Sequence, residues 1–361
     1  MKQSLKICKI FGIDVNVHFS LIFILLFLTY VFYINPPPFG FANLKGLERL
    51  LLSIAASILI FVCILIHELS HSLVAIKYGS RVKGIVLFIF GGVALIENIP
   101  REPKREFLMA LAGPAASIAM AIMFLSLTPI HRQFFFLLGY FNLILGLFNL
   151  IPAFPMDGGR ILRSILARSM GFVKATKVSA EIGKILAIVM AITGIFVSLW
   201  LVLIALFIYI GASEEEKLVT FEGLLGRFRV KDIMTPDPIY VTPETKVREV
   251  IDLMLKYKHL GYPVVRDGEL IGIVTLKDVM NADEEDVVEN VMSRRVVTIS
   301  PDENAFEALK LMSENGIGRI PVVENGKLVG IVSRSDIIRV LEILEAIESR
   351  TSTEARAHTT A

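Results

Sequence analysis

A chain of 361 residues that is 54% hydrophobic, with mean hydropathy +0.65, is too apolar for an ordinary soluble protein. Its net charge of +2 hides an asymmetry: residues 1–211 hold 18 Lys+Arg against 8 Asp+Glu, and residues 212–361 hold 19 against 27. An apolar, basic front and a polar, mildly acidic back exclude a single soluble domain, and the positive-inside rule explains the basic front without any nucleic-acid partner.

Lys2, Lys6 and Lys9 precede a long apolar run with no small-x-small cleavage site, which predicts a retained helix rather than a removed signal. Before it, Ile13 to His18 alternates like a short strand. Six spans are predicted, at about 18–34, 50–74, 107–128, 134–151, 180–197 and 199–211. Pro36, Pro37 and Pro38 stop the first. Between spans two and three, Gly84 to Ile96 is apolar but short and broken by Gly91 and Gly92. It fits a β-hairpin or re-entrant segment lining a cavity, because non-helical backbone at membrane depth must be buried in protein or face water.

Lys and Arg set the topology. Six lie in the loop after span two and five in the loop after span four, whereas the opposite loops hold Lys45 and Arg49, then Arg132, then none. The alternation predicts a multi-pass cell-membrane protein with both termini cytoplasmic.

Span two contains His67-Glu68-Leu69-Ser70-His71, an H-E-x-x-H pattern. On a helix, residues four apart share a face, so both imidazoles can hold one zinc ion while Glu68 activates water. Ionisable residues in an apolar span are costly and usually functional. Cys63 lies one turn earlier and reads as a small buried apolar residue; with Cys8 it makes no disulfide framework. A catalytic zinc needs a third protein ligand. On residues alone the acidic candidates near the same membrane face are Asp14, Glu97, Glu102, Glu106 and Asp157. Asp157 stands out in Asn149-Leu-Ile-Pro152 through Pro155-Met156-Asp157-Gly158-Gly159, where prolines break the helix and glycines permit a tight turn. Asp-Gly-Gly also reads as a plain polar turn.

Residues 212–228 read as a charged linker. Beyond it a repeat runs at a spacing of 58 without a gap: Met234 and Met292, Pro243 and Pro301, Pro263 and Pro321, Gly268 and Gly326, Asp278 and Asp336. Each copy reads strand, helix, strand, strand, helix, and buries its apolar face against its twin. The tail from 345 to 361 is polar and predicted to be disordered.

Taken together, His67 to His71 in a span, Phe90-Gly-Gly-Val-Ala94, Ala112-Gly-Pro-Ala-Ala-Ser117 and Asn149 through Gly159 resemble the site-2 protease family of intramembrane zinc metalloproteases. In particular, they resemble its archaeal and bacterial members with a C-terminal CBS pair. The resemblance implies a six-span helical membrane protein with a short β-element over 1–211, and α/β CBS repeats over 229–286 and 287–344. It implies His67, His71 and Asp157 as ligands of one Zn2+, and Glu68 as general base and acid. Gly91 and Gly92 are implied to edge the substrate groove, where an unwound substrate pairs as a strand. Asn149 is implied to orient substrate or stabilise an oxyanion, although capping a helix break explains it equally well. Thr275, Asp278, Ser333 and Asp336 are implied to contact AMP or ATP; Ser/Thr-x-x-Asp is equally a helix-capping pattern. Expected partners are membrane-anchored protein substrates, the lipid bilayer, an adenine nucleotide and a second copy through the CBS pair.

Two rival readings remain at this stage. A CBS-regulated transporter or channel would show a repeat among its spans, and none is visible. A metal-sensing receptor without turnover differs only in lacking cleavage.

Overall fold

The computed structural model describes residues 4–97 and 101–344, so the predicted tail lies outside the described residues. The chain divides into two compact units, joined at Lys217 and Leu218.

In the first unit, β1 (Ser4–Ile10) and β2 (Ile13–His18) form an antiparallel hairpin. Its turn residues Phe11 and Gly12 both have positive φ, at 49° and 83°, as a tight hairpin of this twist requires. The helices α1 (Ser20–Ile34) and α2 (Gly46–Lys77) follow. Next come β3 (Arg81–Phe88) and β4 (Gly91–Glu97), an antiparallel hairpin matching the expected one. β2 pairs in parallel with β3, giving a sheet of order β1-β2-β3-β4 with β4 at one edge. The sheet packs on α2 through Ile13, Leu21, Phe61, Leu69, Ile85 and Leu87. This fixes α2, and the histidines on it, against the β3–β4 hairpin.

The remaining helices of this unit are α3 (Pro103–Ser126), α4 (Arg132–Asn149), α5 (Asp157–Met170), α6 (Phe172–Val197) and α7 (Leu199–Leu225). Among the described residues, three helices, α2, α3 and α6, are long and apolar enough to cross a bilayer, and α1 is apolar but only 15 residues long. The outer faces stay apolar: Ile22, Phe23, Leu26 and Phe27 on α1, and Ile185, Ile192 and Phe196 on α6, are exposed. Helices apolar both inward and outward suit lipid better than water.

Two local expectations change. The segment 212–228, expected as a charged linker, is helical as far as Leu225. Leu199 to Thr220 holds no proline and a single glycine, Gly211, and the Glu-Glu-Glu-Lys run within it is helix-forming. Two of its charges are also neutralised from neighbouring helices: Glu215 accepts from Arg163 at 2.7 Å and Glu216 from Lys184 at 2.5 Å. Gly158 and Gly159 do not make a turn; they lie in the first turn of α5. A Cβ on them would stand 2.2 Å from the Ile151 carbonyl oxygen and 2.6 Å from the Phe154 nitrogen. They are glycines because the preceding loop folds back against the helix start.

The second unit contains α8 (Val230–Ile233), β5 (Thr235–Pro236), α9 (Val247–Tyr257), β6 (Gly261–Arg266), β7 (Glu269–Thr275) and α10 (Leu276–Val279). The second copy follows as α11 (Val288–Val291), α12 (Ala305–Asn315), β8 (Arg319–Glu324) and β9 (Lys327–Ser333), and residues 334–344 are helical. Each copy's leading segment covers the other copy's sheet. Met292 sits over Gly272 and Met234 over Gly330, where a Cβ would come within 2.6 and 2.4 Å of the respective Sδ. Two cores result, one around Val250, Tyr262 and Val274, the other around Ala308, Ile320 and Val332.

Candidate active site

His67 and His71 stand one turn apart on the buried face of α2. Asp157 is the first residue of α5, delivered by the loop that holds Pro152 and Pro155. Their donor atoms converge: His71 Nε2 is 3.1 Å from His67 Nε2 and 3.1 Å from Asp157 Oδ2, and His67 Nε2 is 3.3 Å from Asp157 Oδ2. Ligands at zinc–nitrogen and zinc–oxygen distances near 2.0–2.1 Å in a tetrahedron lie about 3.3 Å apart, so the triad has the spacing of a bound zinc. The electrostatics agree. His71 Nδ1 is 2.7 Å from the Met109 carbonyl oxygen, which only accepts, so the proton of a neutral ring is on Nδ1 and Nε2 offers a lone pair. Two ring nitrogens and a carboxylate oxygen at this spacing are a donor set that could hold a metal ion.

Helix α3 supplies the support, which the sequence did not disclose. His67 Nδ1 is 2.9 Å from Ser117 Oγ, and the Met109 carbonyl anchors His71, so both rings are oriented from the same helix. Between these two contacts lies Gly113. A Cβ there would be 2.1 Å from His71 Nε2 and 2.6 Å from His67 Nε2. The Ala112-Gly-Pro motif is therefore a space requirement: α3 can approach the histidines only where it has no side chain. α3 is also tied to α5. Glu106 is completely buried and accepts from Arg163 Nε at 2.8 Å and Nη2 at 2.5 Å. The Arg163 guanidinium also lies over the Phe154 and Phe172 rings, 5.0 and 4.6 Å from their centres.

A cavity of about 600 Å3 opens beside the triad and is lined by Glu68, Gly91, Gly92, Asn149 and Arg160, among others. The Glu68 carboxylate makes no hydrogen bond among the described residues. Gly92 presses on it, since a Cβ would lie 2.8 Å from Glu68 Cγ. Asn149 donates to its own helix, Nδ2 to the Leu145 carbonyl at 3.0 Å, while lining the cavity. Of the other acids considered as third ligand, Asp14 pairs with Lys6 and Glu106 with Arg163. Glu97 pairs with Lys83, and Glu102 with Arg105.

In the second unit, Thr275 donates to Asp278 at 2.6 Å and Ser333 to Asp336 at 2.6 Å, with backbone N–H bonds to the same carboxylates. Both pairs thus cap helix starts. A cleft of about 580 Å3 is lined by Thr275 but not by Asp278, Ser333 or Asp336.

The pattern of peptidase family M50 matches residues 55–131 and 126–190, and the CBS domain pattern matches 230–285 and 288–343. A zinc metalloprotease of Methanocaldococcus jannaschii is 40% identical over 96% of this chain and 99% of its own length. The protein Rip3 of Mycobacterium tuberculosis is 32% identical over 95% of this chain and 94% of its own. Among solved structures, the site-2 protease from Methanocaldococcus jannaschii is 37% identical, covering 59% of this chain and 95% of its own with a TM-score of 0.44. The chain is a metalloprotease that belongs to peptidase family M50, the site-2 protease family, and carries a CBS domain pair.

Proposed function

We propose that this metalloprotease hydrolyses peptide bonds within transmembrane segments of membrane-anchored proteins, with His67, His71 and Asp157 holding one zinc ion. The convergence of three donor atoms beside Glu68, in a cavity bounded by an open strand edge, carries the reading. Zinc held by these three residues would supply Lewis-acid chemistry, lowering the pKa of water toward about 7. Glu68 takes the proton of the attacking water and delivers it to the leaving amine. Asn149 orients the substrate backbone. The substrate extends along β4, whose outer edge has no strand partner among the described residues and whose Gly91 and Gly92 let main chain approach closely. A helical peptide bond is shielded by its own turn, so the substrate unwinds before attack.

The chain crosses the membrane six times with both termini cytoplasmic, by the Lys/Arg alternation, which places the site nearer the cytoplasmic side. The CBS pair binds an adenine nucleotide and modulates the protease; a cleft reached by Thr275 supports this.

The test is cleavage of a single-span substrate in detergent by the wild type and by Glu68→Gln. The variant keeps its metal and loses at least about 1000-fold in rate, the scale of a missing general base together with its charge. Retained cleavage would remove Glu68 from the mechanism. Metal without cleavage in the wild type would favour a metal-sensing receptor instead.

A further inference from the structure

The cavity beside the triad has one cation among the described residues that line it, Arg160. It lies one turn after Asp157 on α5, and residues three apart on a helix share a face. Arg160 is half-buried and makes no hydrogen bond or ion pair among the described residues. The acids that α3 and α7 turn toward α5 are already held, since Glu106 and Glu215 both accept from Arg163. The rest of the cavity wall is largely apolar, with Ile64, Phe88, Val93, Phe148 and Phe207. An unpaired guanidinium in such a setting is costly and calls for an anion.

Membrane topology does not require a charge in that place. Arg168 and Lys174 follow in the same stretch and are exposed, as a topology signal can be. Nor does the site need the charge for balance: Glu68 and Asp157 together match a divalent cation, which leaves the charge of Arg160 over. The other polar side chains of the lining have their donors engaged. Asn149 Nδ2 donates to the Leu145 carbonyl, and the far nitrogens of His67 and His71 are held by Ser117 and Met109. An apolar membrane segment brings no anion to meet Arg160, but its cleavage makes one. Hydrolysis breaks the C–N bond, the oxygen of water goes to the acyl carbon, and both its protons end on the nitrogen. The products are a carboxylate and an ammonium. A carboxylate accepts two parallel N–H bonds from a guanidinium, the pairing that arginine is shaped for.

We propose that Arg160 binds the new C-terminal carboxylate that cleavage produces, so that the half of the substrate preceding the cut ends at α5. This rests on the reading that peptide bonds are cut in this cavity, and adds which end of the product is held and by which side chain.

The test is fluorescence anisotropy on the full-length, zinc-loaded protein in detergent. The probe is a short leucine–alanine peptide, labelled with fluorescein at its N-terminus and ending either in a free carboxylate or in an amide. The wild type binds the acid at least about tenfold more tightly than the amide, the size of a charge-assisted hydrogen bond. Arg160→Gln loses this preference and binds the amide as the wild type does, a match that a general loss of shape would not give. Arg160→Lys keeps the charge without the planar fork and recovers part of the preference. Equal binding of acid and amide by the wild type would overturn the proposal. So would a preference retained in Arg160→Gln, which would assign the carboxylate to the metal alone, or binding of neither peptide by a wild type that cleaves the single-span substrate. A wild type that does not cleave that substrate would overturn both readings.

Discussion

Replacing Gly113 by alanine places a methyl group inside the site. Its Cβ would lie 2.1 Å from His71 Nε2, 2.5 Å from His71 Cε1 and 2.6 Å from His67 Nε2, against an ordinary contact beginning at 3.4 Å. Relief therefore needs a movement of roughly 1.3 Å, whereas metal–ligand distances tolerate only about 0.2 Å. Neither ring can simply swing aside, because Ser117 and the Met109 carbonyl hold their far nitrogens. Backing α3 away would instead strain the Glu106–Arg163 contact. Gly113→Ala should thus lower metal affinity by at least about 100-fold, beyond the upper range for disturbing an outer hydrogen bond. Cleavage should fall in parallel, and stability by about 1–3 kcal/mol from overpacking. Gly139→Ala is the control: its Cβ would meet Leu125 Cγ at 2.7 Å, away from the histidines. It should lower stability and leave metal content intact. Metal content by atomic absorption, cleavage rate and thermal midpoint are measured on both. A Gly113→Ala protein with full metal and cleavage within about twofold of wild type would refute the reasoning, since it would mean α3 is not the wall that shapes the site.

Asp157→Asn removes the anionic donor and should reduce metal affinity by at least about 100-fold, read by competition with a chromogenic chelator. Arg163→Met leaves Glu106 buried without its cation and should destabilise by about 3–5 kcal/mol in thermal inactivation. Adding Glu106→Gln to it should recover much of the loss, and no recovery would mean that the charge pairing is not the cause. Zinc at 100 times its dissociation constant should stabilise the metal-free protein by about 2.7 kcal/mol, and a chelator should reverse this; an unmoved midpoint would argue against binding at a site of the folded state.

The chemistry-bearing residues were legible because they are anomalous where they stand. Two histidines and a glutamate in an apolar run have few bland explanations, and Asp157 follows a proline-broken helix end. The hairpin at 84–96 was legible for a similar reason, being too short and too glycine-rich to span. What escaped is what acts by backbone or by absence. The Met109 carbonyl has no sequence signature, and Gly113 works by lacking atoms. Arg163 was counted only as a loop charge, because its pairing with Glu106 spans 57 residues and depends on how α3 and α5 meet. β1 was hidden by its lysines, though Lys6 spends its charge on Asp14 across the hairpin. The CBS repeat was plain from its spacing, yet the residues first picked from it, Thr275 with Asp278 and Ser333 with Asp336, are engaged in capping.

The edge of β4, unpaired among the described residues, has a consequence for selectivity. An edge strand reads main-chain N–H and C=O groups, which every polypeptide carries, so it discriminates poorly between side chains. What differs among candidate segments is the ease of leaving the helix. Relative to alanine, a glycine weakens a helix by about 1 kcal/mol and a proline by about 3 kcal/mol. A few such residues near the cavity shift the extended population by orders of magnitude. Under the proposed strand pairing, discrimination would reside in the conformational stability of the segment presented, and a uniformly leucine-rich span is expected to be cleaved more slowly than one carrying glycine or proline, because it holds its own hydrogen bonds.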